Sequence, residues 1–177
     1  MSAIGRARLT LTNEQLAAIG EIAVESAHLE SAVDLMIQLV LKISEEEFDV
    51  LINNRMLGAK VDVLKTCGVI RLAGKKRKKR RHQFTALMDH IKFLISQRAI
   101  AIHGIWGPEG GMKLGDLVAF WAGYGSAGAA EAKHKKGAMK AAQLEKLAEQ
   151  FNQAVSDLWA FARTNWLFRR VKKKAEA

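Results

Sequence analysis

The sequence predicts an all-α, up-and-down bundle of four to five helices, on three observations. Proline occurs once in 177 residues, so little interrupts a helical backbone. Ala, Leu, Lys and Glu are abundant and hydrophobic residues make up 49% of the chain, a composition that favours helices over a sheet sandwich. Apolar residues also recur at spacings of three and four through several long stretches, the period of one buried helix face. At this length one core suffices, and residues 1–177 are expected to form a single helical domain.

Thr12-Asn13-Glu14-Gln15 reads as a capping box that starts a long helix ending near Ile43. Its buried line is Ile19, Ala23, Ser26, Glu30, Val33, Ile37 and Val40, widened by Ile22, Leu29 and Met36. A carboxylate at Glu30 within that line is costly unless it is paired or borders a wet site. Ser44-Glu45-Glu46-Glu47 is a second capping box for a short helix through Phe48 and Leu51, broken at Asn53-Asn54. A third helix is expected over Met56 to Leu72, with Leu57, Val61, Leu64, Cys67 and Gly68 on one side.

Lys75-Lys76-Arg77-Lys78-Lys79-Arg80-Arg81-His82 repels itself and is expected to be an exposed basic loop over 75–82. The fourth helix is predicted from Gln83 to His103, striped by Phe84, Leu87, Ile91, Leu94, Arg98 and Ala101. Residues 107–138 form a Gly/Ala-rich insertion before the last helix, read as an irregular loop with order only at Leu114 to Trp121, as a strand or short helix. The last helix is predicted from Met139 to Phe168 along Leu144, Leu147, Phe151, Val155, Leu158 and Phe161/Ala162, followed by a basic tail over 169–177.

The formal net charge is +10, concentrated in seven basic residues from Lys75 to Arg81 and five from Arg169 to Lys174. Without those segments, 16 basic residues face 18 acidic ones. Two basic patches on a near-neutral body fit a polyanion, and RNA is the expected partner. The run Lys75, Lys76, Arg77, Lys78, Lys79, Arg80, Arg81 would hold the phosphate backbone, with affinity that falls with salt. A localisation signal, an anionic membrane patch and a solvated loop are the other readings of the run. Trp106, Trp121 and Tyr124 are placed to stack bases, or else serve as core or lid packing.

One cysteine, Cys67, forms no intrachain disulfide, which suits a reducing cytoplasm, and its place on an apolar stripe makes it a packed thiol. No secretory signal or membrane span is read, so the protein is expected to be cytoplasmic and not membrane-bound. His28 has no second ligand at helical spacing, and His90 is read as a satisfied, partly buried side chain. No metal site and no cofactor is expected. Gly123-Tyr124-Gly125-Ser126-Ala127-Gly128 matches a dinucleotide fingerprint in form, but no βαβ unit surrounds it. No phosphate loop of the NTPase type occurs.

The chemistry concentrates in Gln97-Arg98-Ala99-Ile100-Ala101-Ile102-His103-Gly104-Ile105-Trp106. Arg98 occupies a core-facing position, where a guanidinium requires a carboxylate or phosphate partner. Five residues of helix separate Arg98 from His103 by about 140° and about 7.5 Å along the axis. Gly104 can end the helix and free His103 to turn inward, and the helix's negative end there favours an imidazolium. A histidine suits proton transfer in attack by a ribose 2′-hydroxyl on its own phosphate, and an arginine suits the charge on the phosphate oxygens. Glu30 would orient Arg98 or His103. The plain structural alternative is that His103 caps carbonyls while Arg98 bridges to Glu30.

Arg98, four residues, then His103 resembles the signature of the HEPN superfamily of small helical bundles. The layout agrees over most of the chain: a long first helix, the helix of Lys60-Val61-Asp62-Val63-Leu64, the segment Arg98 to Trp106, and a closing helix. The family commonly has a polar residue, often Asn, directly after the Arg, where this chain has Ala99. The resemblance implies a metal-independent endoribonuclease that works as a homodimer, with Arg98 and His103 of both copies in one cleft. It also implies a toxin–antitoxin or phage-defence setting, with an antitoxin or other protein partner. Two further classes stand beside it, a non-catalytic helical module that binds RNA or nucleotide and a scaffold that docks an acidic protein.

Overall fold

The Thr12 hydroxyl accepts from the Gln15 backbone N–H at 3.2 Å, and the Thr12 N–H donates back to Gln15 Oε1 at 2.9 Å. This reciprocal cap satisfies two donors at the helix start and opens α1, Asn13–Leu41. The computed structural model describes residues 11–103, 105–108, 117–120, 138–140 and 143–167. Ser44 and Glu47 make the same reciprocal cap ahead of α2, Glu45–Phe48, and a π-helical turn, Asp49–Asn53, follows. Helix α3 spans Leu57–Arg71, α4 Lys78–His103 and α5 Leu144–Ala162. A second π-helical turn, Arg163–Leu167, extends α5.

The architecture is an all-α bundle. Helix α1 packs against α5 and α3, and α4 packs against α3 and α5. Ile22, Leu29, Val33 and Met36 of α1 meet Val61 and Leu64 of α3, Phe84, Met88, Ile91 and Leu94 of α4, and Phe151 and Leu158 of α5 in one fully buried cluster. On α1 the centre of the buried face is Ile22, Ser26, Leu29, Val33 and Met36, whereas Ala23 is exposed and Glu30 lies at the edge. The predicted line is therefore rotated toward the residues that were expected only to flank it. Gly68 lets α3 approach α4, because a Cβ there would collide with the Phe84 ring.

Three expectations are corrected by the backbone. The basic run is not a loop: Lys75–Arg77 is a 3-10 turn and α4 begins at Lys78, so Lys78 to His82 are helical. Gly74, at φ 117°, precedes that turn in a backbone conformation that glycine adopts without strain. The last helix begins at Leu144, not Met139, because Ala138–Lys140 is a β-strand. The 107–138 segment is not all loop outside Leu114 to Trp121: β2, Leu117–Phe120, falls within that stretch, but β1, Ile105–Pro108, and the strand just named, β3, pair with it in an antiparallel sheet of order β1-β2-β3. Ile105 lies opposite Phe120, and Val118 opposite Lys140. This sheet follows the C-terminal end of α4 in the chain and touches that helix. Gly104, Trp121, the glycine-rich segment 123–128 with Tyr124, and the tail from Arg169 to Lys174 lie outside the described residues. No described helix is long and apolar enough to cross a membrane.

Candidate functional site around Arg98

Arg98 stands on the α4 face turned toward α1, half-buried. Its Nε donates to Ser26 Oγ at 2.8 Å, and Ser26 Oγ in turn donates to the Ala23 carbonyl at 2.9 Å. Ser26 is only 3% exposed, so its single hydroxyl hydrogen and one lone pair are both committed and its orientation is set. That hydroxyl holds the guanidinium by one of its five N–H groups. Among the described residues, Arg98 forms no ion pair, and its other N–H groups have no acceptor. A half-buried guanidinium in this condition has donors left with which to hold an anion.

Glu30 does not hold Arg98. One turn beyond Ser26 on α1, its Oε1 accepts from Lys60 Nζ at 2.9 Å, and Asp34 Oδ2 accepts from the same ammonium at 2.9 Å. Lys60 is 2% exposed and lies 5.9 Å from the Phe48 ring centroid. The sequence expectation of an Arg98–Glu30 bridge is therefore replaced by a Lys60–Glu30–Asp34 triad between α3 and α1. Burial works against the Lys60 ammonium, but the hydrogen bonds and charges of Asp34 and Glu30 outweigh it and hold the group above its ordinary value. Burial pushes the Asp34 carboxyl up, against the opposing pull of Lys60. The sequence places Ser26 on the buried face and gives neither it nor Lys60 a role. The available signal was Glu30 and Asp34 four residues apart, a spacing that presents two carboxylates side by side on one helix face.

His103 is the last residue of α4 and is exposed. The helix ends at His103, as expected. Helix geometry keeps it about 140° around the axis from Arg98 and about 7.5 Å further along. Within one copy, Arg98 faces α1 and His103 is exposed at the C-terminal end of α4. Trp106 lies in β1, paired in register with Ala119.

The basic residues sit at the opposite end of α4. Lys75, Lys76, Lys78, Lys79 and Arg80 are exposed, and Arg77 and Arg81 are half-buried. No acid occupies the first turn of α4, so these cations crowd the positive end of a helix dipole, which costs stability until an anion neutralises them. Arg81 and Arg98 are about 25 Å apart along the helix. Among the described residues, no three His, Cys, Asp or Glu side chains cluster as a metal site would require. No family model, no curated protein and no solved structure matches this chain.

Proposed function

We propose that this chain is a metal-independent endoribonuclease of the HEPN type, acting as a homodimer in which Arg98 and His103 of two copies share one cleft. The observation that carries the reading is the Arg98 guanidinium, fixed through Nε by Ser26 and otherwise without an acceptor among the described residues. A phosphodiester supplies the paired oxygens such a fork recognises. Arg98 stabilises the charge that builds on the non-bridging oxygens as the ribose 2′-hydroxyl attacks phosphorus. His103 of the other copy takes the hydroxyl proton, and the departing 5′-oxygen takes a proton from water. The products are a 2′,3′-cyclic phosphate and a 5′-hydroxyl.

The basic end of α4 supports RNA as the substrate by supplying a counter-charge for the backbone. A toxin or phage-defence role, with an antitoxin partner, belongs to the same proposal and rests on the resemblance alone.

The test is incubation of the purified protein with end-labelled RNA in excess EDTA, beside Arg98→Ala and His103→Ala. Cleavage that survives EDTA, yields cyclic phosphate ends and drops by about a hundredfold or more in both variants is the expected result. Salt-sensitive RNA binding with no cleavage would move the reading to a non-catalytic RNA-binding module.

A further inference from the structure

A second cleft lies at the other end of α4, about 35 Å from His103 by the rise between Arg80 and that residue. It has a volume of about 210 Å³ and is lined by Lys42, Arg71, Arg77, Arg80, Asn165 and Trp166. Four cations line it, and no carboxylate does. Two of the cations are anchored by backbone. Arg71 Nη1 donates to the Leu39 and Val40 carbonyls at 3.1 and 2.6 Å, closing the end of α1. Arg77 Nη1 donates to the Arg71 carbonyl at 2.9 Å, at the end of α3. The negative ends of α1 and α3 help these like charges to gather. Each anchored guanidinium keeps further N–H donors, while Lys42 and Arg80 are exposed.

The wall of the cleft supplies an independent observation. Trp166 is 7% exposed, and its indole Nε1 is buried with no hydrogen-bond partner among the described residues. The ring is fixed by edge-on packing against Phe84 and Phe161, with centroids 5.3 and 5.4 Å away. The adjacent Asn165 donates to the Phe161 carbonyl at 2.9 Å, and its Oδ1 is also buried without a partner. An indole N–H held in this way costs free energy unless something accepts from it. Lys42 adds a related feature: it adopts left-handed backbone, φ 61°, at the C-terminal cap of α1, where glycine is the favoured residue.

The cleft is continuous in its lining with a larger one of about 560 Å³, which shares Lys42, Arg71 and Trp166 and adds Leu39, Ile43 and Trp159. That volume lies within the range of small-ligand sites.

We propose that the two clefts bind an organic phosphate. A phosphate group bearing two or more negative charges lies among Lys42, Arg71, Arg77 and Arg80 and accepts from Trp166 Nε1. The flat apolar group attached to it enters the adjoining cleft beside Trp159. A nucleoside phosphate has this chemistry, whether free or as the 5′-phosphorylated end of an RNA chain. The site is separate from Arg98 and His103, so it stands or falls independently of cleavage.

The experiment is a calorimetric titration of the full chain carrying His103→Ala, which prevents turnover of RNA. The probes are adenosine 5′-diphosphate, adenosine, inorganic pyrophosphate, and one short RNA with either a 5′-phosphate or a 5′-hydroxyl. Expected is saturable binding that needs the phosphate and is stronger when the base is present. Lys42→Gln with Arg80→Gln should weaken it by about tenfold or more. Arg55→Gln with Lys146→Gln removes the same charge at exposed positions outside the cleft and should weaken it by less than about threefold. Trp166→Phe keeps a ring and removes the N–H, and should weaken the phosphate-bearing probe selectively. Preference for free nucleotide or for the phosphorylated RNA end identifies the source, and either upholds the site. Equal losses in the two charge-matched double variants, or indifference to the phosphate, would overturn it.

Discussion

Ser26 on α1 holds Arg98 on α4 through a 2.8 Å hydrogen bond to Nε, and a second bond to the Ala23 carbonyl keeps the serine from turning away. The arginine that interrupts the apolar face of α4 is thereby aimed by a different helix. Ser26→Ala should therefore lower RNA cleavage by about tenfold while leaving Arg98 in place, a smaller loss than Arg98→Ala causes. The same change removes the acceptor of a half-buried N–H and should cost about 1–2 kcal/mol in a urea titration. Unchanged cleavage in Ser26→Ala would separate the hydrogen bond from catalysis.

Lys60 is the charged residue the core depends on. Removing its ammonium leaves Asp34 and Glu30 facing each other without a counter-ion. The Glu30 side chain is 42% exposed and water screens it, so the Asp34 contact, at 19% exposure, carries most of the effect. Lys60→Met should destabilise the fold by about 3 kcal/mol, and adding Glu30→Gln and Asp34→Asn should restore part of that loss. Denaturant midpoints of the single and triple variants decide it.

The pH dependence follows from the same group. Lys60 is held above the 10.5 of a free lysine, so its contribution is fully present below about pH 10.5 and is lost as pH rises through the folded-state value. Asp34 acts on the acid side. Burial raises its carboxyl above 3.8, so folding favours its protonated form, and its ionisation removes stability as pH rises through that higher value. Unfolding midpoints at pH 8 and pH 11 should diverge in the parent chain, and the difference should shrink in Lys60→Met. An equal alkaline loss in that variant would assign the effect to other groups.

Gly68 sets the distance between α3 and α4. Gly68→Ala places a methyl group against the Phe84 ring and should cost about 1–3 kcal/mol despite the better helix propensity of alanine. Combining it with Phe84→Leu should recover stability relative to Gly68→Ala alone. If Gly68→Ala stabilises the protein, the close approach is not a constraint.

The helices were legible because caps and periodicity are local. The Thr12 and Ser44 boxes name their own helix starts, and Phe84, Met88, Ile91 and Leu94 repeat at spacings of four and three, those of a buried face. The basic run was misread because charge repulsion argues against a helix in isolation. Lys78 to Arg81 become helical as the first turn of a helix whose later residues are buried in the bundle. Strands β1 and β3 were obscured because they are four and three residues long and draw their pairing from a distant partner. Arg98 and His103 could be found from their types and spacing, but the partner of Arg98 could not. Choosing between Ser26 and Glu30, one turn apart on α1, depends on the rotation of α1 against α4 and on Lys60 reaching Glu30 first. Neither is a local property.

The central claim is that Arg98 of one copy works with His103 of another, since a single straight α4 holds them on different sides. The most direct measurement mixes Arg98→Ala with His103→Ala, each inactive alone, and follows RNA cleavage after subunit exchange in EDTA. A mixed dimer has one complete Arg98/His103 pair, and half of randomly exchanged dimers are mixed, so the account predicts about a quarter of the parent activity. No recovery, with exchange verified by a mass-tagged subunit, would contradict it.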